Sequence, residues 1–184
     1  MNTCCCFVTV GTTSFPTLVA NTNSPAFLKL LKTHNFTKLI VQHGNGIPPP
    51  PPPHTTHIPF TKITTYDFKT SLSADMNSAK LIVTHGGAGS IMECLARVRA
   101  DPETRILVVV NTDLMDNHQI EIAEELGEHN YVHFISLGSD NSDSEASFVE
   151  ALEFCLSEEG KLEVYEEPDP KTFSNFVDQH MGVV

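Results

Sequence analysis

The run His85-Gly86-Gly87-Ala88-Gly89-Ser90 puts a titratable ring, three glycines and a hydroxyl into six residues, just after the apolar Leu81-Ile82-Val83. Glycine lets a ligand reach the backbone without meeting a Cβ. A helix opening at such a turn leaves its first N–H groups unpaired at the positive end of its dipole. The chemistry this favours is the holding of an anion, most often a phosphate. An ordinary strand-to-helix turn uses glycines in the same way, so the run by itself supports either reading. Two further polar runs share the setting. Gly11-Thr12-Thr13-Ser14 follows an apolar stretch and offers hydroxyls to phosphate or sugar, with a plain polar turn as the alternative. Asn111 to Gln119 follows Ile106 to Val110 and closes on Asn117-His118-Gln119. There His118 and Gln119 carry donors and acceptors suited to sugar hydroxyls or an N-acetyl carbonyl, or they only cap and solvate a helix start.

Other chemistries lack their residues. His54 with His57, and His129 with His133, have no third ligand at a convincing spacing, so no bound metal is predicted. No GxGxxG follows the first strand and no Walker A lysine is present, which removes the common dinucleotide and P-loop fingerprints. Five cysteines, three of them adjacent at Cys4, Cys5 and Cys6, form neither a disulfide framework nor a CxxC pair. They read as small apolar residues in a reducing compartment.

The polar runs need elements to position them. Cys5 to Val10, Lys38 to Gln42, Leu81 to Val83, Ile106 to Val110 and Tyr131 to Ile135 read as strands, several of them continuously apolar as strands covered on both faces must be. Between them, a helix is predicted from Ser24 with Pro25 at its first position and Phe27, Leu28, Leu30 and Leu31 inward. Phe68, Leu72 and Met76 recur at helical spacing as core. Ser90 is predicted to cap a helix through Leu95, and Arg97 to Arg105 reads as a charged connection. Ile120, Ile122, Ala123 and Leu126 mark another helix, and Ser144 to Leu156 a last one with Phe148, Leu152 and Cys155 on one side. Alternating strands and helices predict an α/β fold with a mostly parallel, Rossmann-like sheet. Ligands of such sheets sit beyond the carboxyl ends of the strands, where all three polar runs fall.

The chain has 184 residues and a net charge of -12. One domain is predicted over residues 1–160, with a proline-rich insertion at 46–58 and an acidic tail at 161–184. Pro48 to Pro53 are six consecutive prolines, read as a stiff polyproline II insertion because no recognition pattern flanks them. The acidic balance argues against general affinity for nucleic acid or an anionic membrane surface. No apolar run approaches the roughly 20 residues that span a bilayer, and the start lacks a basic segment, so a soluble, unsecreted chain is predicted.

Three segments taken together resemble a family: Phe7 to Thr13, Leu81 to Glu93, and Val110-Asn111 through Leu114-Met115-Asp116-Asn117-His118-Gln119. They are similar to the carboxyl-terminal domain of family 28 glycosyltransferases. More narrowly, they resemble the small-subunit type that adds the second N-acetylglucosamine to dolichol diphosphate. The resemblance implies the donor-binding half of a GT-B enzyme that uses UDP-N-acetylglucosamine and inverts the anomeric centre with neither metal nor other cofactor. By the same resemblance Glu93 binds the ribose hydroxyls, His118 and Gln119 face the sugar, and Gly11 to Ser14 lie near the diphosphate. It further implies a dolichol-diphosphate-linked N-acetylglucosamine acceptor, and a membrane-anchored partner subunit that carries the acceptor site and holds the chain at the cytosolic face of the endoplasmic reticulum. The catalytic base is expected outside this chain. Phe148, Leu152, Cys155, Phe173 and Phe176 are candidates for the partner contact or for the chain's own core. Two alternatives stay open, a nucleotide-sugar-binding regulatory subunit without turnover and a glycosyltransferase domain acting on another lipid acceptor.

Overall fold

The computed structural model describes residues 4–50, 62–113, 118–139 and 144–166. Six parallel strands, β1 (Cys5–Thr9), β2 (Lys38–Gln42), β3 (Lys62–Tyr66), β4 (Ala79–His85), β5 (Arg105–Asn111) and β6 (His133–Leu137), form one sheet in the order β3-β2-β1-β4-β5-β6. Six helices accompany them: α1 (Pro16–Asn21), α2 (Pro25–Thr33), α3 (Ser73–Ser78), α4 (Ala88–Ala100), α5 (His118–Glu128) and α6 (Ser144–Leu156).

Strand alternation divides the apolar residues between two cores. Cys6, Val8, Leu39, Val41, Leu81, Val83, Leu107 and Val109 face α1, α2 and α6. Their neighbours Cys5, Phe7, Ile40, Ile82, Ile106 and Val108 face α3, α4 and α5. Since both faces are covered, β5 is buried along its whole length, which is why its sequence reads as an unbroken apolar run. From β1 the chain runs to one side through α1 and α2 to β2 and β3, returns through α3 to β4 on the other side of β1, and continues outward through α4 to β5. The gap between β1 and β4 is therefore the switch point of the sheet, where doubly wound folds hold ligands.

Several local expectations are met. Ser24 caps α2 by accepting from the Phe27 N–H at 3.2 Å, Pro25 opens the helix, and Phe27, Leu28, Leu30 and Leu31 are buried. All five cysteines are free thiols, four of them buried. Phe148, Leu152 and Cys155 are fully buried beneath α6, so they close the chain's own core rather than offering a partner surface. Phe173 and Phe176 lie outside the described residues, as do His54, His57 and Pro51 to Pro53.

Other expectations are corrected. Helix α4 starts at Ala88, with Gly87 as its extended N-cap and no side-chain cap bond, so Ser90 stands inside the first turn. The charged stretch from Arg97 is mostly ordered into elements: Arg97 to Ala100 complete α4 and Arg105 opens β5. Arg97 ties this region down by donating to the carbonyls of Met76 and Ala79 and to Asp101. Phe68, Leu72 and Met76 do not share a helix face. Met76 alone of the three is in α3 and buried, while Phe68 is 46% exposed. Strand β3, half exposed at the sheet edge and mostly polar, carries no apolar signature to announce it. Finally, β6 sits two residues later than its apolar run begins, because Val132 turns into the core ahead of the strand.

Candidate functional site

Beyond the carboxyl ends of β1 and β4, at the switch point, a cleft of about 440 Å³ opens between their loops. Gly11 and Thr12 from the β1 loop form one side. His85, Gly87, Gly89, Ser90 and Glu93, from the β4 turn and the start of α4, form the other. A third side comes from Phe68 to Leu72, the segment joining β3 to α3.

His85 is the hub of the turn. Its ring lies between two glycines: a Cβ on Gly11 would stand 2.5 Å from its Cε1, and a Cβ on Gly87 would collide with its Nε2. Gly11 is further required by its φ of +62°, a left-handed conformation that other residues seldom take. The imidazole is 8% exposed, and its Nδ1 has no hydrogen-bond partner among the described residues. Burial pushes its pKa below the ordinary histidine range, and the nearby Thr9 carbonyl pulls it back only in part, so the ring is held neutral at pH 7.

Beyond the ring, α4 presents the N–H groups of its first turn, which have no acceptor within the helix. Gly89 has open space where a Cβ would be, leaving that turn accessible. Glu93 is exposed farther along the same helix and faces the cleft. The side formed by residues 68–72 is braced from behind. Asp75 accepts from the Tyr66 hydroxyl and the Lys69 ammonium, both at 2.6 Å, and Lys69 lies over the Tyr66 ring at 3.9 Å. Burial raises the Asp75 pKa, but the bonds from Lys69 and Tyr66 outweigh it and keep the carboxylate ionised. Conversely, burial and that carboxylate push the Tyr66 phenol up.

Several other nominated residues are not among those lining the cleft. Thr13 closes the β1 loop by donating its hydroxyl to the Val10 carbonyl at 2.9 Å, and Ser14 sits beside Gly46. Ala88 is the first residue of α4. Gly86 is the seat of Gln119, whose Oε1 would be 3.0 Å from a Cβ there, so the third polar run does reach the β4 turn. His118 opens α5, and Asn117 lies outside the described residues. Sequence reasoning missed Phe68 to Leu72, because helical spacing assigned Phe68 and Leu72 to a core. It also missed Gln42, buried at the last position of β2. A polar residue closing an apolar strand was the signal available there.

The glycosyltransferase family 28 C-terminal domain matches residues 5–177, a span that takes in every described strand and helix. The chain belongs to this family. Among curated proteins, this family 28 chain is 38% identical over 130 residues to the UDP-N-acetylglucosamine transferase subunit ALG13 of Homo sapiens, covering 71% of this chain and 11% of that protein. It is 32% identical over 171 residues to the protein of the same name in Yarrowia lipolytica, covering 93% of this chain and 81% of the relative. It thus spans about a tenth of the human relative's length. A solution NMR structure of ALG13 superposes with a TM-score of 0.62 at 21% identity, over 95% of this chain and 94% of that one. The crystal structure of Acinetobacter baumannii MurG gives 0.58 at 16% identity, over 98% of this chain and 50% of that one. At such identities the superpositions show fold alone: the family 28 chain has the α/β architecture of one half of a GT-B glycosyltransferase.

Proposed function

We propose that this chain is the donor-binding, catalytic subunit of an inverting N-acetylglucosaminyltransferase, which moves N-acetylglucosamine from UDP-N-acetylglucosamine to N-acetylglucosaminyl-diphosphodolichol. The observation that carries the reading is the cleft at the switch point, where the glycine-opened turn after β4 and the first N–H groups of α4 face the β1 loop. The diphosphate lies on that turn, between Gly11 to Ser14 and His85 to Ser90. The ribose hydroxyls donate to Glu93, the uracil lies against the 68–72 side with Phe68, and the sugar points toward His118 and Gln119. In the reaction an acceptor hydroxyl oxygen bonds to the anomeric carbon from the face opposite the diphosphate. The bond from that carbon to the diphosphate oxygen breaks, and UDP leaves with the electron pair. Charge grows on the leaving diphosphate, so N–H groups aimed at it stabilise the transition state more than the ground state, with no metal needed. The acceptor's proton passes to a base on a second, membrane-anchored subunit, which supplies the acceptor site and brings a chain of net charge -12 to the endoplasmic reticulum. The relatives are themselves named as subunits of a transferase. No helix among the described residues is long and apolar enough to cross a membrane.

Calorimetry with UDP on the isolated chain, followed by a transfer assay with and without the partner, tests the reading. Expected are UDP binding by the isolated chain, loss of at least tenfold in affinity on Glu93→Ala, and transfer only in the complex. Unchanged affinity in Glu93→Ala removes that residue from the site. Robust transfer by the partner-free chain refutes the division of labour, and UDP binding in a complex without transfer identifies a regulatory subunit.

A further inference from the structure

We propose that Gln42, which no sequence motif nominates, is the positioning residue that sets two sides of the cleft against each other; the proposal rests on reading that cleft as the nucleotide site. Its side chain is 1% exposed, yet it reaches the cleft surface from the end of β2. One end of the carboxamide takes three donors: Oε1 accepts from the Thr9 hydroxyl at 2.5 Å, the Val10 N–H at 3.1 Å and the Gly11 N–H at 3.0 Å. At the other end, Nε2 donates to the Gly11 and Asp67 carbonyls, both at 2.7 Å. These partners fix the orientation of the amide, since reversing it would set donors against donors and carbonyls against a carbonyl.

The arrangement has two consequences. Gly11 is gripped through both its N–H and its carbonyl, which pins the left-handed residue against the His85 ring. Asp67 is gripped through its carbonyl, immediately before the Phe68 to Leu72 segment, and its own carboxylate accepts the Phe68 N–H at 2.7 Å. Nε2 thus bonds both the β1 loop and the β3 loop. A Leu of similar size would fill the space but leave the partly buried Gly11 and Asp67 carbonyls without the donor that joins them. Asn45 braces the β1 loop separately, by donating to the Thr12 carbonyl at 2.8 Å, and has no bond to the β3 loop. Coupling therefore runs through Gln42 and bypasses Asn45.

Amide hydrogen exchange on the full 184-residue chain, without ligand, reads the coupling directly. Gln42→Leu should speed exchange at the bonded amides Gly11 and Thr13 and at Phe68 together, by tenfold or more, while Asn45→Ala speeds it only in the β1 loop. Gln42→Glu keeps the acceptor end and loses the donor end, so it should release the Phe68 N–H and leave Gly11 N–H protected. That second variant decides the matter even where Gln42→Leu exchanges globally through poor folding. Exchange raised at only one loop in Gln42→Leu, or at neither loop in Gln42→Glu, overturns the proposal. Calorimetry with UDP supplies the other arm. Gln42→Leu should bind UDP at least tenfold more weakly than wild type, whereas the core variant Val98→Ala, far from the cleft and similarly destabilised, should keep its affinity. Equal losses in the two variants would reduce Gln42 to a stability residue and overturn its positioning role. If wild type itself does not bind UDP, the nucleotide reading fails, and the exchange measurements still decide whether one side chain couples the two loops.

Discussion

At the scale of single residues, His85 and its two flanking glycines form one packing unit. A Cβ at Gly87 meets the imidazole ring and not the ligand space, and the φ of Gly87, -73°, is open to any residue. Gly87→Ala should therefore destabilise the fold by overpacking, about 1–3 kcal/mol, and removing the ring should relieve it. In a double-mutant cycle followed by urea unfolding, Gly87→Ala is expected to cost much less in a His85→Ala background than in wild type. An undiminished cost would mean that the ring moves aside freely. The sequence shows the three glycines and the histidine plainly. That the glycines are required in part by the histidine depends on how the turn after β4 curls back toward β1, a tertiary fact with no local signal.

Among the elements, the two serines predicted as caps behave differently. Ser24 accepts the Phe27 N–H and stands just before α2, whereas Ser90 makes no cap bond and lies in the first turn of α4 behind a Gly87 N-cap. Ser24→Ala should cost about 1 kcal/mol, and Ser90→Ala should fall within about 0.5 kcal/mol of wild type, both read from urea midpoints. Equal costs would restore Ser90 as a cap. Strands whose two faces are buried, β1, β2, β4 and β5, were legible because burial on both sides demands a continuous apolar run. The edge strand β3 was not. Its Lys62, Thr64 and Thr65 answer to a half-exposed position, and its pairing with β2 decides its conformation. Of the cleft, the side contributed by β4 could be read from its glycine-rich run and the side contributed by β1 from Gly11 and the hydroxyl residues after it. The side contributed by 68–72 could not, since a chance four-residue spacing imitated a helix.

For the molecule as a whole, the titrating groups bound a window of stability. His85 and His133 are depressed from 6.5, first by burial, with the Thr9 and Gly160 carbonyls opposing it. Asp101 is drawn down to about 2 from 3.8 by hydrogen bonds from Lys80 and then Arg97. In each case the folded value lies below the unfolded one, so the unfolded chain takes up more protons as pH falls and stability declines, through the histidines below about 6.5 and the carboxylates below about 4. Buried thiols act at the other limit. Desolvation raises Cys5 and Cys6 and pushes Cys155 up to about 12, so above about 9 the unfolded chain loses protons that the folded chain keeps, and stability falls again. Urea midpoints measured from pH 4 to 10 should form a plateau between about 7 and 9; a midpoint that climbs as pH is lowered from 7 to 5 would contradict it. The placement of β1 between β2 and β4 also has a consequence in time. Its second neighbour lies about forty residues beyond its first, which at roughly 5–20 residues per second takes the ribosome about 2–8 s to make. Until Ala79–His85 arrives, one margin of β1 is an open template and the thiols of Cys5 and Cys6 are uncovered. A chaperone or an oxidant thus meets on the nascent chain a strand that neither can reach on the finished one.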